Sequence, residues 1–332
     1  MIGSTEIPWL EPLAASWSGA AARGRPAHAV LLTGAPGVGK RSAAVWMARE
    51  RLGVVPSAEL PTFPPELPQH PDLYRVGPPE GKKAILIDQI RELVAELSLT
   101  SYEGAAKVAL IDPANAMTGA AANSLLKTLE EPPGDALLVL VADRLGGLPA
   151  TILSRCQRLN IAIPATSVSR PWLERLQPGA DWSAALQAAG DAPLAAIDAL
   201  ECLEITSSMA REFVEIADGR LSPVRVAANW AKHDPSFVLT WMGREIQRCV
   251  HQACGNRGAA SGSSVGGSVL DRIDRRNLFC YLDTINRFRS QAAGSFSVQL
   301  ALESLLIDWA EGLQNCGNKF IRGGVLPIPE VR

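Results

Sequence analysis

The chain has 332 residues, 47% of them hydrophobic, with 32 lysines and arginines against 34 aspartates and glutamates and a formal net charge of −2. That length suggests two or three domains with ample apolar material for their cores. The near-neutral balance excludes a globally basic nucleic-acid binder, so any DNA contact must come from a local patch or through partners. No run of about 18 apolar residues is present, so no helical membrane span is expected. Six cysteines, at 156, 202, 249, 254, 280 and 316, form no C-x-x-C pair, and Cys249 and Cys254 around His251 lack zinc spacing. With no signal-peptide pattern in Met1-Ile2-Gly3-Ser4-Thr5-Glu6, a reducing cytoplasm is the expected compartment.

His28-Ala29-Val30-Leu31-Leu32-Thr33 is a short apolar run that reads as a buried strand. Gly34-Ala35-Pro36-Gly37-Val38-Gly39-Lys40-Arg41 follows. It fits the phosphate-binding pattern G-x-x-x-x-G-K-[ST] everywhere but at its end. The glycines let backbone N–H groups turn inward as an anion nest. Lys40 would reach the β- and γ-phosphates, and a hydroxyl at position 41 would hold Mg²⁺. Arg41 stands there instead. A cation about 4 Å from a unit positive charge costs about 4 kcal/mol at an effective dielectric of about 20, and a divalent metal roughly doubles this. Arg41 could relieve part of that by swinging toward solvent. Ser42 does not replace the hydroxyl, because the next helical position points about 100° away.

Residues 42–52 read as the helix after the loop. Pro56 to Pro71 carries six prolines in sixteen residues and reads as a surface insertion, neither helix nor central strand. Asp88 to Leu99 has Ile90, Leu93, Val94 and Leu97 at helical spacing, with Asp88 as the expected N-cap. Residues 108–112 form a second buried strand, Thr118 to Glu131 a helix stopped by Pro132-Pro133, and residues 136–142 a third strand. A helical turn over residues 148–153 leads into Ser154-Arg155-Cys156. Strands alternating with helices predict a parallel sheet flanked by helices. After about Pro164 the pattern becomes helical throughout, interrupted by a Gly/Ser-rich stretch at 255–268 that reads as a mobile loop.

Asp112 ends the second strand and is followed by Pro113, where a P-loop ATPase usually has a Glu to position water. Asp112 then reads either as the metal-side acid or as a strand cap. In Gly190-Asp191-Ala192-Pro193, the place where such ATPases offer an Arg to the nucleotide holds Pro193. Arg41, Pro113 and Pro193 all disable the same chemistry.

Residues 122–133, Ala-Asn-Ser-Leu-Leu-Lys-Thr-Leu-Glu-Glu-Pro-Pro, and 151–157, Thr-Ile-Leu-Ser-Arg-Cys-Gln, resemble the clamp-loader AAA+ ATPases of bacterial DNA polymerase III. Pro8-Trp9-Leu10, His70-Pro71-Asp72, Asp88-Gln89-Ile90-Arg91 and Val325-Leu326-Pro327-Ile328-Pro329 are similar to that family too. The resemblance covers nearly the whole chain, with its most specific motifs in residues 107–157. It implies an α/β P-loop module over residues 1–165, a small helical lid over 166–207 and an all-α collar over 208–332. It also implies a rigid, non-catalytic stator in a hetero-pentameric ring with gamma/tau and delta subunits, touching the sliding clamp and primed DNA mainly indirectly. Arg155 carries over as an arginine finger acting in trans, with Ser154 and Cys156 supporting it and Arg158 as a weaker second candidate. Such fingers are worth roughly 10³–10⁵ in rate. Gly34, Gly37, Gly39, Lys40 and Asp112 carry over as a vestigial nucleotide site, where silent ADP or ATP binding stays open. Relatives often hold zinc between the first helix and His70, but residues 53–69 contain no cysteine, so no zinc is expected. The alternative reading is an active gamma/tau-type motor. It would need a hydroxyl at 41, an acid at 113 and an Arg near 193.

Overall fold

The computed structural model describes residues 4–24, 27–54, 59–102, 106–143, 145–254, 265, 270, 273, 275–290 and 297–314. The expected 255–268 loop (Val265 apart) and the 325–329 motif lie outside them. The chain divides into two compact units, Met1–Leu200 and Glu201–Arg332.

In the first unit, five parallel strands form one sheet: β2 (Ala29–Thr33), β4 (Leu73–Val76), β5 (Val108–Ile111), β6 (Leu137–Ala142) and β7 (Gln157–Asn160), in the order β4-β5-β6-β2-β7. Every residue of β2, β5 and β6 is buried. A parallel sheet covered on both faces needs such continuous apolar runs, which is why these three strands were legible in the sequence. β4 and β7 were not. They are the two edges: in β4, Leu-Tyr-Arg-Val, only the last residue is buried, and β7, Gln-Arg-Leu-Asn, is mostly exposed.

Helices flank the sheet. α2 (Lys40–Arg51) begins at Lys40, two residues earlier than expected, because Gly39 at φ 100° turns the chain directly into the first helical residue. α3 spans Ile87–Ser98, and its cap is not Asp88. Asp88 lies inside the first turn, and the Gln89 side chain instead accepts from the Leu86 N–H at 3.0 Å while donating to the Gly77 carbonyl at 2.9 Å. α4 (Gly119–Glu130) is capped by Thr118, whose hydroxyl accepts from the Ala121 N–H. α5 (Ala150–Leu153) follows β6.

The proline-rich stretch is more than a surface insertion. Thr62–Phe63 (β3) pairs antiparallel with Thr5–Glu6 (β1), and the Ile7 N–H donates to the Pro61 carbonyl. Trp46 of α2 donates to the Glu59 carbonyl at 2.7 Å. Prolines exclude a central strand but permit an edge, and this segment uses that freedom to tie down the N-terminus. In His70-Pro71-Asp72, the buried Asp72 carboxylate accepts from the Ser101 hydroxyl and the Tyr102 N–H, which gives that motif a structural role.

Helices α6 (Thr166–Leu176), α7 (Trp182–Ala189) and α8 (Pro193–Glu201) follow the sheet. Trp172 of α6 is fully buried, packs edge-on to Trp9 with ring centroids 5.1 Å apart, and donates to the Glu6 carbonyl at 2.7 Å.

The second unit is helical: α9 (Leu203–Ala217), α10 (Pro223–Trp230), α11 (Pro235–Ala253), α12 (Arg275–Ser290) and α13 (Val298–Ala310). Its largely aliphatic core contains a cluster of aromatic rings. Phe213 stacks on Trp309 at 4.3 Å and 9°, Trp241 meets Phe213 edge-on at 5.8 Å, and Tyr281 also stacks on Trp309, at 6.1 Å. The polar tips are satisfied, Trp309 by the Phe213 carbonyl and Tyr281 by the Leu305 carbonyl, as buried Trp and Tyr require.

Candidate functional site

The carboxyl ends of the central strands bring together Gly34 to Lys40 after β2, Asp112 after β5 and Asp143 after β6. This edge is where ligands meet open α/β sheets. The loop turns on three glycines: Gly34, Gly37 and Gly39 lie at φ 142°, 81° and 100°, a region closed to most side chains.

The groups around it are engaged with one another. Lys40 is buried, and its ammonium donates to the Gly34 and Ala35 carbonyls at 2.8 and 2.7 Å and pairs with Asp143 at 2.8 Å. Asp143 was not found from the sequence, because a lone acid after an apolar strand carries no spacing signal. Arg41 does not swing free. Its Nε lies 2.6 Å from Asp112 Oδ2, with Arg41 67% and Asp112 6% exposed. A guanidinium therefore neutralises the carboxylate at the point where a metal and its hydroxyl ligand would stand. Asp112 is thereby neither a bare strand cap nor an available metal acid. Ser42 is buried with its hydroxyl unpartnered, in a pocket lined by Trp46, Arg49, Glu59 and Thr62 rather than by the glycine loop.

The helical segment closes over the loop. The Leu194 N–H donates to the Gly37 carbonyl at 2.9 Å, and a Cβ on Gly37 would meet Ala195 at 2.5 Å. Pro193 is the first residue of α8 and is buried there. From below, Trp9 donates to the Val38 carbonyl at 2.9 Å, and a Cβ on Gly39 would stand 3.2 Å from Leu10. Pro8-Trp9-Leu10 thus braces the loop from the N-terminal side, a contact spanning about thirty residues that no local pattern announces.

Ser154-Arg155-Cys156 lies outside this constellation, at the end of α5. Cys156 is buried and belongs to the sheet's core, and burial pushes its thiol up to about 11, so it stays protonated and serves as an anchor. Ser154 Oγ donates to the Thr151 carbonyl and accepts from Arg155 Nη1 at 3.3 Å. Arg155 is one-third exposed and pairs with Glu130 at the end of α4. The buried Cys156 anchors the turn that carries Arg155. Arg158, on the edge strand β7, is exposed.

A sequence-family model described as "DNA polymerase III, delta subunit" matches residues 10–165. The DNA polymerase III subunit delta' of Pseudomonas aeruginosa is 30% identical over 321 residues, 91% of this chain and 97% of that one. The subunit delta' of Escherichia coli is 34% identical over 178 residues, about half of each chain. A DNA polymerase III gamma subunit-related protein from Thermotoga maritima, solved by crystallography, matches with a TM-score of 0.53 at 19% identity, covering 92% of this chain and 99% of that one. At that identity the likeness is one of fold.

Proposed function

Because the chain belongs to the DNA polymerase III delta' family, we propose that it is the stator of a clamp loader, a subunit that lends Arg155 to a neighbour's ATP and hydrolyses none itself. The observation that carries this reading is the Arg41–Asp112 ion pair. It puts a fixed positive charge and a spent carboxylate where Mg²⁺ would need an oxygen ligand and a free acid. With Lys40 held by Gly34, Ala35 and Asp143, and α8 seated on Gly37, the loop's polar groups are occupied within the chain. These residues do not fit a magnesium nucleotide.

An anchored, partly exposed Arg is what a trans-acting finger requires. It can meet charge developing on a phosphate bound by another subunit without reorganising its own backbone. The partners on this reading are gamma/tau and delta subunits in a five-membered ring. The sliding clamp and primed DNA are reached mainly through those subunits, since the chain's own charge is near neutral.

The test is DNA-stimulated ATP turnover by the reconstituted loader, with the wild-type chain and with Arg155→Ala, and with the chain alone as control. The expected outcome is no turnover by the chain alone and a large loss with Arg155→Ala, about 10³-fold or more at the site it serves. Turnover by the chain alone would identify a gamma/tau-type motor instead. An unchanged rate with Arg155→Ala would leave an architectural subunit without a finger.

A further inference from the structure

Arg155 does not extend into solvent as an unsupported side chain. Its Nε donates to Glu130 Oε1 at 2.5 Å, and its Nη2 meets the same oxygen. On the other side, Nη1 donates to the Thr151 carbonyl at 3.1 Å and to Ser154 Oγ at 3.3 Å. A guanidinium has five N–H donors in a rigid planar fork. Two of its three nitrogens are gripped by Glu130 and the third by the α5 turn, so the plane is fixed from both edges. Among the described residues, the second Nη2 hydrogen has no acceptor. Glu130 is half exposed, and it ends α4 immediately before Glu131-Pro132-Pro133, where the prolines stop the helix.

We infer that Glu130 is a positioning residue for Arg155: its carboxylate oxygen holds the Nε edge so that the remaining Nη2 hydrogen faces outward, toward a phosphate on a neighbouring subunit. This rests on the reading of Arg155 as a finger. Freeing a long side chain restores rotamer entropy, which must then be lost again at each turnover. Misplacement by about 1 Å can cost up to about 10²-fold in rate. Glu130 is placed to prevent both, and it does so without touching the substrate. The same pair explains why two motifs separated by some twenty residues, Leu129-Glu130-Glu131 and Ser154-Arg155-Cys156, end at one point: one supplies the grip and the other the finger.

The experiment uses the full reconstituted loader, confirmed as assembled by size-exclusion chromatography, and measures kcat and KM for ATP in the DNA-stimulated reaction. The chains compared are wild type, Arg155→Ala, Glu130→Ala, Glu130→Gln, the Arg155→Ala/Glu130→Ala double variant, and Glu131→Ala as the adjacent exposed carboxylate. Glu130→Ala is expected to lower kcat about tenfold with KM within about twofold, as loss of an orienting contact should. Glu130→Gln, which keeps an acceptor oxygen at the Nε edge, is expected to retain most of the rate. Glu131→Ala is expected to be silent. The double variant should be no worse than Arg155→Ala, because Glu130 acts only through that side chain. A wild-type rate for Glu130→Ala beside an impaired Arg155→Ala would overturn the proposal while leaving the finger standing. So would multiplied losses in the double variant, or equal losses for Ala and Gln, which would place Glu130's effect in its charge rather than in aiming. A wild-type rate for Arg155→Ala would remove the finger itself, and the proposal with it.

Discussion

Arg41 and Asp112 carry the sharpest departure from a working nucleotide site, and each makes sense only beside the other. Asp112 is 6% exposed, and an ionised carboxylate so placed needs a partner; Arg41 supplies it while remaining 67% exposed itself. Solvent on the Arg41 side screens the pair. Arg41→Ala is therefore expected to lower stability by about 1–2 kcal/mol, most of it from leaving Asp112 unpartnered. Asp112→Asn should cost less, and the double variant should cost less than the two single changes added together. Urea unfolding of the four chains measures this; additive losses would show that the two groups are not coupled. The sequence showed that position 41 lacks a hydroxyl and that 113 lacks an acid. It did not show that the replacement for one takes the carboxylate of the other, because the two lie about seventy residues apart and meet only through the sheet.

At the scale of elements, legibility followed burial. β2, β5 and β6 are covered on both faces and stand out as apolar runs, whereas the edge strands β4 and β7 are half solvated and their composition conceals them. The α3 cap shows a second limit. Asp88 is a good capping type in a plausible place, yet the chain enters the helix two residues earlier, with Leu86 at the cap, and Gln89 reaches back to the Leu86 N–H. Contact between the phosphate loop and α8 is likewise a property of elements in space. Gly37 is held at φ 81° with Ala195 2.5 Å from its missing Cβ. Gly37→Ala is thus expected to cost about 1–3 kcal/mol through backbone strain and overlap. Hydrogen exchange should show faster opening of Pro193–Glu201 in that variant. Thr118→Ala is expected to cost about 1 kcal/mol by removing the cap of α4, seen as a lower midpoint in thermal unfolding.

For the whole molecule, the two units rest on different physics. The first is a covered parallel sheet whose loops make the site. The second is a helical unit whose largely aliphatic interior includes a cluster of aromatic rings. Trp309, 1% exposed, stacks on both Phe213 and Tyr281 and donates to the Phe213 carbonyl. Trp309→Ala is expected to cost about 3–5 kcal/mol, read as loss of the near-ultraviolet circular dichroism of that unit at lower urea than in the wild type. Since neither Arg155 nor the phosphate loop lies in it, a loader assembled around the variant at low temperature should retain Arg155-dependent turnover.

By itself, the sequence determined that a phosphate loop follows a buried strand, that its metal ligand and its acid are gone, and that a Ser-Arg-Cys turn ends the α/β region. These are local facts, carried by residue type and spacing along a few turns of chain. Only the tertiary structure decided what the altered residues do. Arg41 closes on Asp112, Lys40 on Asp143, Trp9 on Val38 and Glu130 on Arg155. Each of these pairs joins segments that β-α crossovers carry to the same edge of a sheet or to neighbouring helix ends. An ion pair or hydrogen bond acts over about 3 Å in space, whatever the separation along the chain.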